Sequence, residues 1–168
     1  MKPGTLIWIT GFAGAGKSTL AKELKSKLNQ QKHQLVLLDG DDFRDLMGND
    51  LGYSDEDRLQ NAERIARFCS YLTSQGLAVI CATMSLYSKI HDFNRKHNPH
   101  YLEVLLKCED SELCRRDQKG LYSQKDQHPV VGKNQSYQLP QNPDLVLQND
   151  QESDISNNVL KIINLLNA

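Results

Sequence analysis

The feature that most constrains this chain is a glycine-rich turn near the amino terminus. The apolar run 5–10 leads directly into GFAGAGKS at positions 11–18, which fits the pattern G-x-x-x-x-G-K-[ST]. In this pattern the glycines let backbone N–H groups approach a phosphate, and the lysine reaches its outer oxygens. A helix predicted to begin at Ser18 would add its positive end. The turn therefore predicts a nucleotide-phosphate site formed by Gly11, Gly14, Ala15, Gly16, Lys17, Ser18 and Thr19.

Apolar segments alternate with helix-like segments along the rest of the chain. After the strand at 5–10, strands are predicted at 34–38, 77–83, 101–107 and 145–147. Helices are predicted from Ser18 to about 30, from a Ser54–Asp57 capping box to the stop at Gly76, and at 111–116 and 155–166. This alternation predicts an α/β fold with a parallel sheet and helices on both faces, and with ligands at the carboxyl ends of the strands. The polar stretch at about 118–143 is typical of a lid or binding loop.

Composition limits the classes of partner and compartment. A length of 168 residues suits one domain spanning 1–168, and the net charge of −1 favours neither nucleic acid nor an anionic membrane as a partner. No apolar stretch approaches the ~20 residues of a membrane helix, so a cytoplasmic protein is expected. The four cysteines form no CxxC pair, and neither a zinc site nor a disulfide framework is predicted.

Three carboxylates follow the second predicted strand. Asp39, Asp41 and Asp42 lie at its carboxyl end, with Arg44 just beyond. Beside a triphosphate, one carboxylate can accept the proton of an attacking hydroxyl while another holds Mg²⁺. The alternative is a helix N-cap at Asp41 or Asp42. No N-K-x-D segment is present to read guanine, which argues against a GTPase.

Several segments in one order make the chain resemble the adenylylsulfate kinases. The likeness covers about 6–148 and includes WITGFAGAGKSTLA, LDGDDFR, DLGYSDEDRLQNAERI, RRDQKGLY and QNPDLVL. It implies a P-loop kinase fold, a homodimer, and ATP with Mg²⁺. The implied reaction moves the ATP γ-phosphoryl group to the ribose 3′-hydroxyl of a small nucleotide acceptor, adenylylsulfate, giving 3′-phosphoadenylylsulfate.

The resemblance also implies roles for individual residues. Asp41 would be the catalytic carboxylate and, with Ser18, a ligand of the metal, while Asp39 would support it. Lys17 would stabilise charge on the transferring group and Arg116 would contact ATP. The residues implied to bind the acceptor are Arg44, Tyr53, Arg58, Asn61, Met84, Ser85, Lys119 and Val130.

Some of these residues allow a plainer interpretation. Arg58 and Asn61 are three residues apart and share a helix face. Yet Arg58 could be an ordinary exposed helix residue, and Tyr53 could serve packing alone. For Arg115 and Arg116, a solvated helix face is as good an interpretation as a contact with the γ-phosphate.

The chain departs from the family pattern around the acceptor. Positions 82–86 read ATMSL where the family typically has SFISP, and 128–132 read HPVVG where it has KGFTG. Asp42 replaces the usual asparagine. An aromatic ring facing Val130 stacks less than one facing a phenylalanine. The chain also resembles relatives of these kinases that act on a cytidine nucleotide in surface-polysaccharide modification, and this resemblance makes cytidine diphosphoramidate the alternative acceptor. A more remote alternative is a nucleotide-gated switch or binding protein without a small-molecule acceptor.

Overall fold

The computed structural model describes residues 1–29, 35–116, 137–151 and 153–167. These residues form a five-stranded, fully parallel sheet in the order β2-β3-β1-β4-β5. The strands are β1 (Thr5–Thr10), β2 (Leu35–Asp39), β3 (Ala78–Ala82), β4 (His100–Lys107) and β5 (Leu145–Gln148). The helices are α1 (Lys17–Asn29), α2 (Gly40–Leu46), α3 (Asp55–Ser74), α4 (Ser88–His97), α5 (Asp110–Arg116) and α6 (Asp154–Leu166). The predicted α/β fold is confirmed.

Each face of the sheet carries its own hydrophobic core, because successive side chains of a strand point to opposite faces. Along β1, Ile7 and Ile9 pack in the core beneath α1 and α6. Leu6 and Trp8 pack in the other core, beneath α3 and α4. All four side chains are fully buried. A central strand that is buried on both sides explains why the sequence of β1 is apolar without interruption.

Two helices were missed from the sequence, α2 and α4. The buried positions of α4 are Ile90, His91 and Asn94, so the helix lacks the apolar stripe that reveals a helix in a sequence. The seven residues of α2 bury Phe43, and two turns are too short to establish a period. Neither helix has a periodic apolar pattern by which it could be predicted from the sequence.

The predicted N-cap of α3 is confirmed, whereas the N-cap of α2 lies at a different residue from the one predicted. The Ser54 hydroxyl accepts from the Asp57 N–H at 3.1 Å, which is the N-cap bond of the predicted capping box, and it also donates to Asp57 Oδ2 at 2.7 Å. The cap of α2 is Asp39, whose Oδ1 accepts from the Asp41 N–H at 3.0 Å. A cap at Asp41 or Asp42 is therefore wrong, because both residues already lie in the first helical turn.

The carboxyl ends of the strands bring distant segments of the chain to one edge of the sheet. In the pairing register, Asp39 of β2 lies beside Ala82 of β3, and Ala82 lies beside Ile9 of β1. The glycine-rich turn, the acidic segment after β2 and the segment after β3 therefore share this edge.

Two expectations concern the membrane and the cysteines. Among the described residues, no helix is both long and apolar enough to cross a bilayer. The four cysteines are all free thiols. Lys119, Val130 and most of the stretch expected to be a lid, namely its residues 118–136, lie outside the described residues.

Candidate active site

The glycine-rich turn between β1 and α1 forms a tight loop. Gly14 and Gly16 have φ angles of 79° and 92°, values that residues with a Cβ rarely adopt. A Cβ on Gly16 would also collide with the side-chain amide of Asn149. We refer to residues 11–18 as the phosphate loop, because the sequence predicts an anion site at its amides and at the start of α1.

Lys17 is held against its own loop. Its ammonium group donates to the carbonyl oxygen of Phe12 at 2.8 Å, and the Ala15 N–H donates to the same oxygen at 3.2 Å. This contact keeps the lysine folded over the loop.

The Ser18 hydroxyl and the Asp39 carboxylate are in contact at the phosphate loop. Ser18 Oγ donates to Asp39 Oδ2 at 2.5 Å, while Asp39 Oδ1 caps α2 through the Asp41 N–H. Both oxygens of Asp39 thus accept hydrogen bonds, and Asp41 is exposed in the first turn of α2. Hydroxyl and carboxylate oxygens are the ligands that Mg²⁺ prefers. The described residues include no group of three or more His, Cys, Asp or Glu side chains placed to hold a metal. Mg²⁺ commonly relies on one or two protein ligands together with phosphates.

The predicted acceptor residues Arg44, Tyr53 and Arg58 form a cluster around one aromatic ring. The Arg44 and Arg58 guanidinium carbons lie 4.8 and 5.4 Å from the Tyr53 ring centroid. Arg44 donates to the carbonyl oxygens of Leu51 and Gly52, at 2.9 Å each. Arg58 Nε donates to the Tyr53 carbonyl oxygen at 3.0 Å. Tyr53 is 52% exposed, and its role in stacking on an acceptor base stays a prediction.

The electrostatics of this cluster favour an anion. Partial burial lowers the pKa of Arg58, the positive charge of Arg44 lowers it further, and Tyr87 and Asp55 oppose this. Two cations held close together are stabilised when a bound anion neutralises them. Burial and Asp55 raise the pKa of Tyr87, while Arg58 lowers it, so Tyr87 belongs to the same neighbourhood.

The other described residues that were predicted to bind the acceptor differ in how deeply they are buried. Asn61, on α3, is 9% exposed, and Met84 is half-buried. Ser85 is fully buried, and its hydroxyl has no hydrogen-bond partner among the described residues. The Ser85 carbonyl oxygen accepts from Thr10 Oγ1 at 3.2 Å and faces His91 Nε2 at 2.9 Å. An acceptor role for Ser85 stays a prediction.

Arg116 and Arg115 differ sharply in exposure. Arg115 is 71% exposed and pairs with Glu112, so the solvated-face interpretation holds for it. The Arg116 side chain is 16% exposed, and that interpretation is wrong there. Arg116 donates to the carbonyl oxygens of Asn149 at 3.0 Å and Asp150 at 2.8 Å, and lies 3.5 Å from that of Gly14. Its predicted contact with ATP stays a prediction.

Sequence reasoning overlooked Asn149, which is 3% exposed at the end of β5. Its side-chain Nδ2 donates to the Ala15 carbonyl oxygen at 2.7 Å. Its backbone N–H donates to the Lys107 carbonyl oxygen at 2.9 Å. The available signal was its position, because a polar residue directly after a parallel strand lies at the edge where ligands bind.

The chain matches the family described as adenylylsulphate kinase over residues 3–148. The cytidine diphosphoramidate kinase of Campylobacter jejuni is 37% identical over 164 residues, which cover 96% of this chain and 95% of that protein. The adenylyl-sulfate kinase of Pseudomonas aeruginosa is 41% identical over 147 residues, which cover 84% of this chain and 75% of that protein.

A solved structure shows the same similarity in three dimensions. The Mycobacterium tuberculosis APS kinase, in complex with AMPPNP and APS, superimposes with a TM-score of 0.88. It is 31% identical to this chain, and the match covers 100% of both chains.

Proposed function

The chain belongs to the adenylylsulphate kinase family, and we propose that it transfers the γ-phosphoryl group of ATP to the ribose 3′-hydroxyl of adenylylsulfate. The observation that carries this proposal is the layout of α2. Asp41, beside the phosphate loop, and Arg44, in the arginine–tyrosine cluster, are three residues apart on this helix and therefore lie on adjacent positions of one face. One short helix thus joins the donor side of the site to the acceptor side.

In the proposed reaction, a bond forms between the acceptor 3′-oxygen and the γ-phosphorus, and the bond from that phosphorus to the β,γ-bridging oxygen breaks. The acceptor proton passes to the Asp41 carboxylate, and ADP leaves. Lys17 and the loop amides stabilise the charge on the phosphate oxygens, which is where phosphoryl-transfer enzymes act most strongly.

Magnesium would be held by Ser18, Asp41 and the phosphates, where it would neutralise phosphate charge. The short Ser18–Asp39 hydrogen bond would orient the Ser18 hydroxyl, leaving its lone pairs for the metal. Asp39 therefore acts as a positioning residue in this proposal.

On the acceptor side, the Tyr53 ring offers a stacking surface for the nucleotide base. The guanidinium groups of Arg44 and Arg58, which lie over the ring, supply donors suited to the oxygens of a phosphate or sulfate. Asn61 and Met84 are proposed to complete this side from α3 and from the segment after β3.

A second candidate acceptor is cytidine diphosphoramidate. The specific observation in its favour is that the Campylobacter cytidine diphosphoramidate kinase matches almost end to end, over 96% of this chain. Met84 and Val130 replace residues usual in adenylylsulfate kinases, and a pyrimidine base needs less stacking surface than a purine.

The deciding experiment is a coupled ADP-release assay with Mg-ATP, offering adenylylsulfate and cytidine diphosphoramidate separately over a range of concentrations. Efficient turnover of adenylylsulfate supports the proposal. Turnover of the cytidine compound alone would replace it with the second candidate. Release of ADP that neither compound stimulates would overturn both and favour a nucleotide-gated switch. The Lys17→Ala variant is the control for contaminating ATPase activity.

We also propose that the protein works as a homodimer, which the family resemblance implies. Light scattering coupled to size-exclusion chromatography tests this. A mass near 19 kDa would contradict it.

A further inference from the structure

We propose that Asn149 is a positioning residue, which holds the Ala15–Gly16 peptide of the phosphate loop in the one orientation that can bind phosphate. This inference rests on the proposed function, since it assigns to the loop the binding of the ATP phosphates.

The local sequence does not fix the orientation of this peptide. Rotating a peptide plane changes ψ of the residue before it and φ of the residue after it. The residue after it is Gly16, which accepts positive and negative φ almost equally. Both the observed orientation, with Gly16 at φ 92°, and the flipped one are therefore open to the isolated loop.

Asn149 removes this freedom through one hydrogen bond. Its Nδ2 donates to the Ala15 carbonyl oxygen at 2.7 Å. In a trans peptide the C=O of one residue and the N–H of the next point in opposite directions. Fixing the Ala15 oxygen on Asn149 therefore directs the Gly16 N–H away from Asn149. Among the described residues this N–H has no hydrogen-bond acceptor, so it is available to an anion.

The backbone of Asn149 is itself held by two hydrogen bonds. Its backbone N–H donates to the Lys107 carbonyl oxygen at 2.9 Å, and its backbone oxygen accepts from Arg116 at 3.0 Å. The side-chain amide occupies the place that a Cβ on Gly16 would take, so the loop and Asn149 are packed in direct contact.

The oxygen of the Asn149 side-chain amide supports the proposed role in positioning the loop. Its Oδ1 is buried and has no hydrogen-bond partner among the described residues. A buried acceptor without a partner is destabilising. An apolar side chain of similar size would avoid this cost. What the asparagine provides at this position is therefore its Nδ2 donor, which bonds to the phosphate loop.

Asn158 offers a matched control. It is 2% exposed, and its Nδ2 donates to the Gln148 carbonyl oxygen at 2.8 Å. Like Asn149, it is a buried asparagine whose side chain donates to a backbone carbonyl oxygen, here that of the residue before Asn149, but its bond does not reach the phosphate loop.

The test compares Asn149→Leu and Asn149→Asp with Asn158→Leu. Binding of inorganic tripolyphosphate with Mg²⁺ is measured by calorimetry, the KM values for ATP and the acceptor by ADP release, and folding by thermal unfolding. Both Asn149 variants should bind tripolyphosphate about tenfold or more weakly, as expected when a hydrogen bond to a charged group is misaligned. The KM for ATP should rise while the KM for the acceptor stays within about twofold. Asn158→Leu should change the melting temperature alone.

The proposal fails if the Asn149 variants bind tripolyphosphate like the unmutated protein, or if Asn158→Leu weakens binding equally. Should the variants not fold, hydrogen exchange on the unmutated protein decides. The Asn149 side-chain amide protons should be protected with and without tripolyphosphate, and rapid exchange would contradict the proposal. An unmutated protein that binds tripolyphosphate but phosphorylates neither acceptor would contradict the proposed function and leave this test intact.

Discussion

At the scale of single residues, Asp39 links two parts of the site through one carboxylate. One oxygen caps α2 and the other accepts from Ser18. Because both of its oxygens are engaged, Asp39 is poorly placed to accept a further proton. In the proposed reaction that role belongs to Asp41, as the family resemblance implies.

Asp41→Asn should leave ATP binding within a few-fold and lower kcat by about 10² to 10⁴, the usual contribution of a general base. Asp42→Asn is the matched control, since Asp42 is also exposed in the first turn of α2 and shares any favourable interaction with the helix dipole. Steady-state kinetics with both substrates gives the comparison. Equal losses in the two variants would exclude Asp41 as the base.

Arg58→Ala should raise the KM for the acceptor about tenfold or more while changing the KM for ATP little, because a charge-assisted hydrogen bond contributes about 1.5–3 kcal/mol. Arg67→Ala is the control. Arg67 lies on the same helix but stacks over Phe93, with its guanidinium carbon 5.6 Å from the ring centroid. An equal rise of both KM values in Arg58→Ala would argue against an acceptor role.

Residues whose roles follow from local pattern could be predicted, and residues that act across the fold could not. The phosphate loop is recognisable because glycines at fixed spacing determine its backbone conformation. Tyr53, with Arg44 and Arg58, was identified through the family resemblance, and the structure shows these side chains in contact. Asn149 was missed because it acts on a loop 134 residues earlier in the chain, and a single asparagine carries no pattern.

At the scale of elements, α2 and the start of α3 carry the two arginines of the arginine–tyrosine cluster. Ser54 begins α3 through its hydrogen bonds with Asp57, four residues before Arg58. The capping box was predictable from its spacing. Helix α2 was not, because it draws its stability from the Asp39 cap and from Phe43, and neither produces a periodic signal.

Ser54→Ala should lower the free energy of unfolding by about 1 kcal/mol, the usual effect of losing an N-cap, and should raise the KM for the acceptor more than that for ATP. Ser74→Ala is the control. It lies at the other end of α3, where its hydroxyl donates to the Tyr71 carbonyl oxygen at 2.6 Å. Denaturant unfolding and steady-state kinetics measure both effects, and identical kinetics in the two variants would separate the cap from acceptor binding.

At the scale of the whole molecule, the two sides of the site lie along one edge of the sheet, and each should stabilise the fold when occupied. A ligand at 100 times its Kd adds about 2.7 kcal/mol. For a protein of this size, that corresponds to a rise in Tm of roughly 5–10 °C.

We therefore expect Mg-ATP and the acceptor each to raise the Tm of the unmutated protein in thermal-shift measurements. In Lys17→Ala, the shift with Mg-ATP should largely disappear while the shift with the acceptor persists, because Lys17 belongs to the phosphate loop alone. Loss of both shifts would mean that the substitution damages the fold.

The contact between Asn149 and Ala15 also sets a time at which the protein can begin to bind its nucleotide during translation. The loop sequence leaves the ribosome early, but its anchor is made 134 residues later, roughly 7–27 s at ordinary synthesis rates. The neighbours of β1 in the sheet, β3 and β4, are also made long after it. A nascent chain that stalls before β5 would carry the complete phosphate-loop motif without a working cradle, so incomplete products would not sequester cellular ATP.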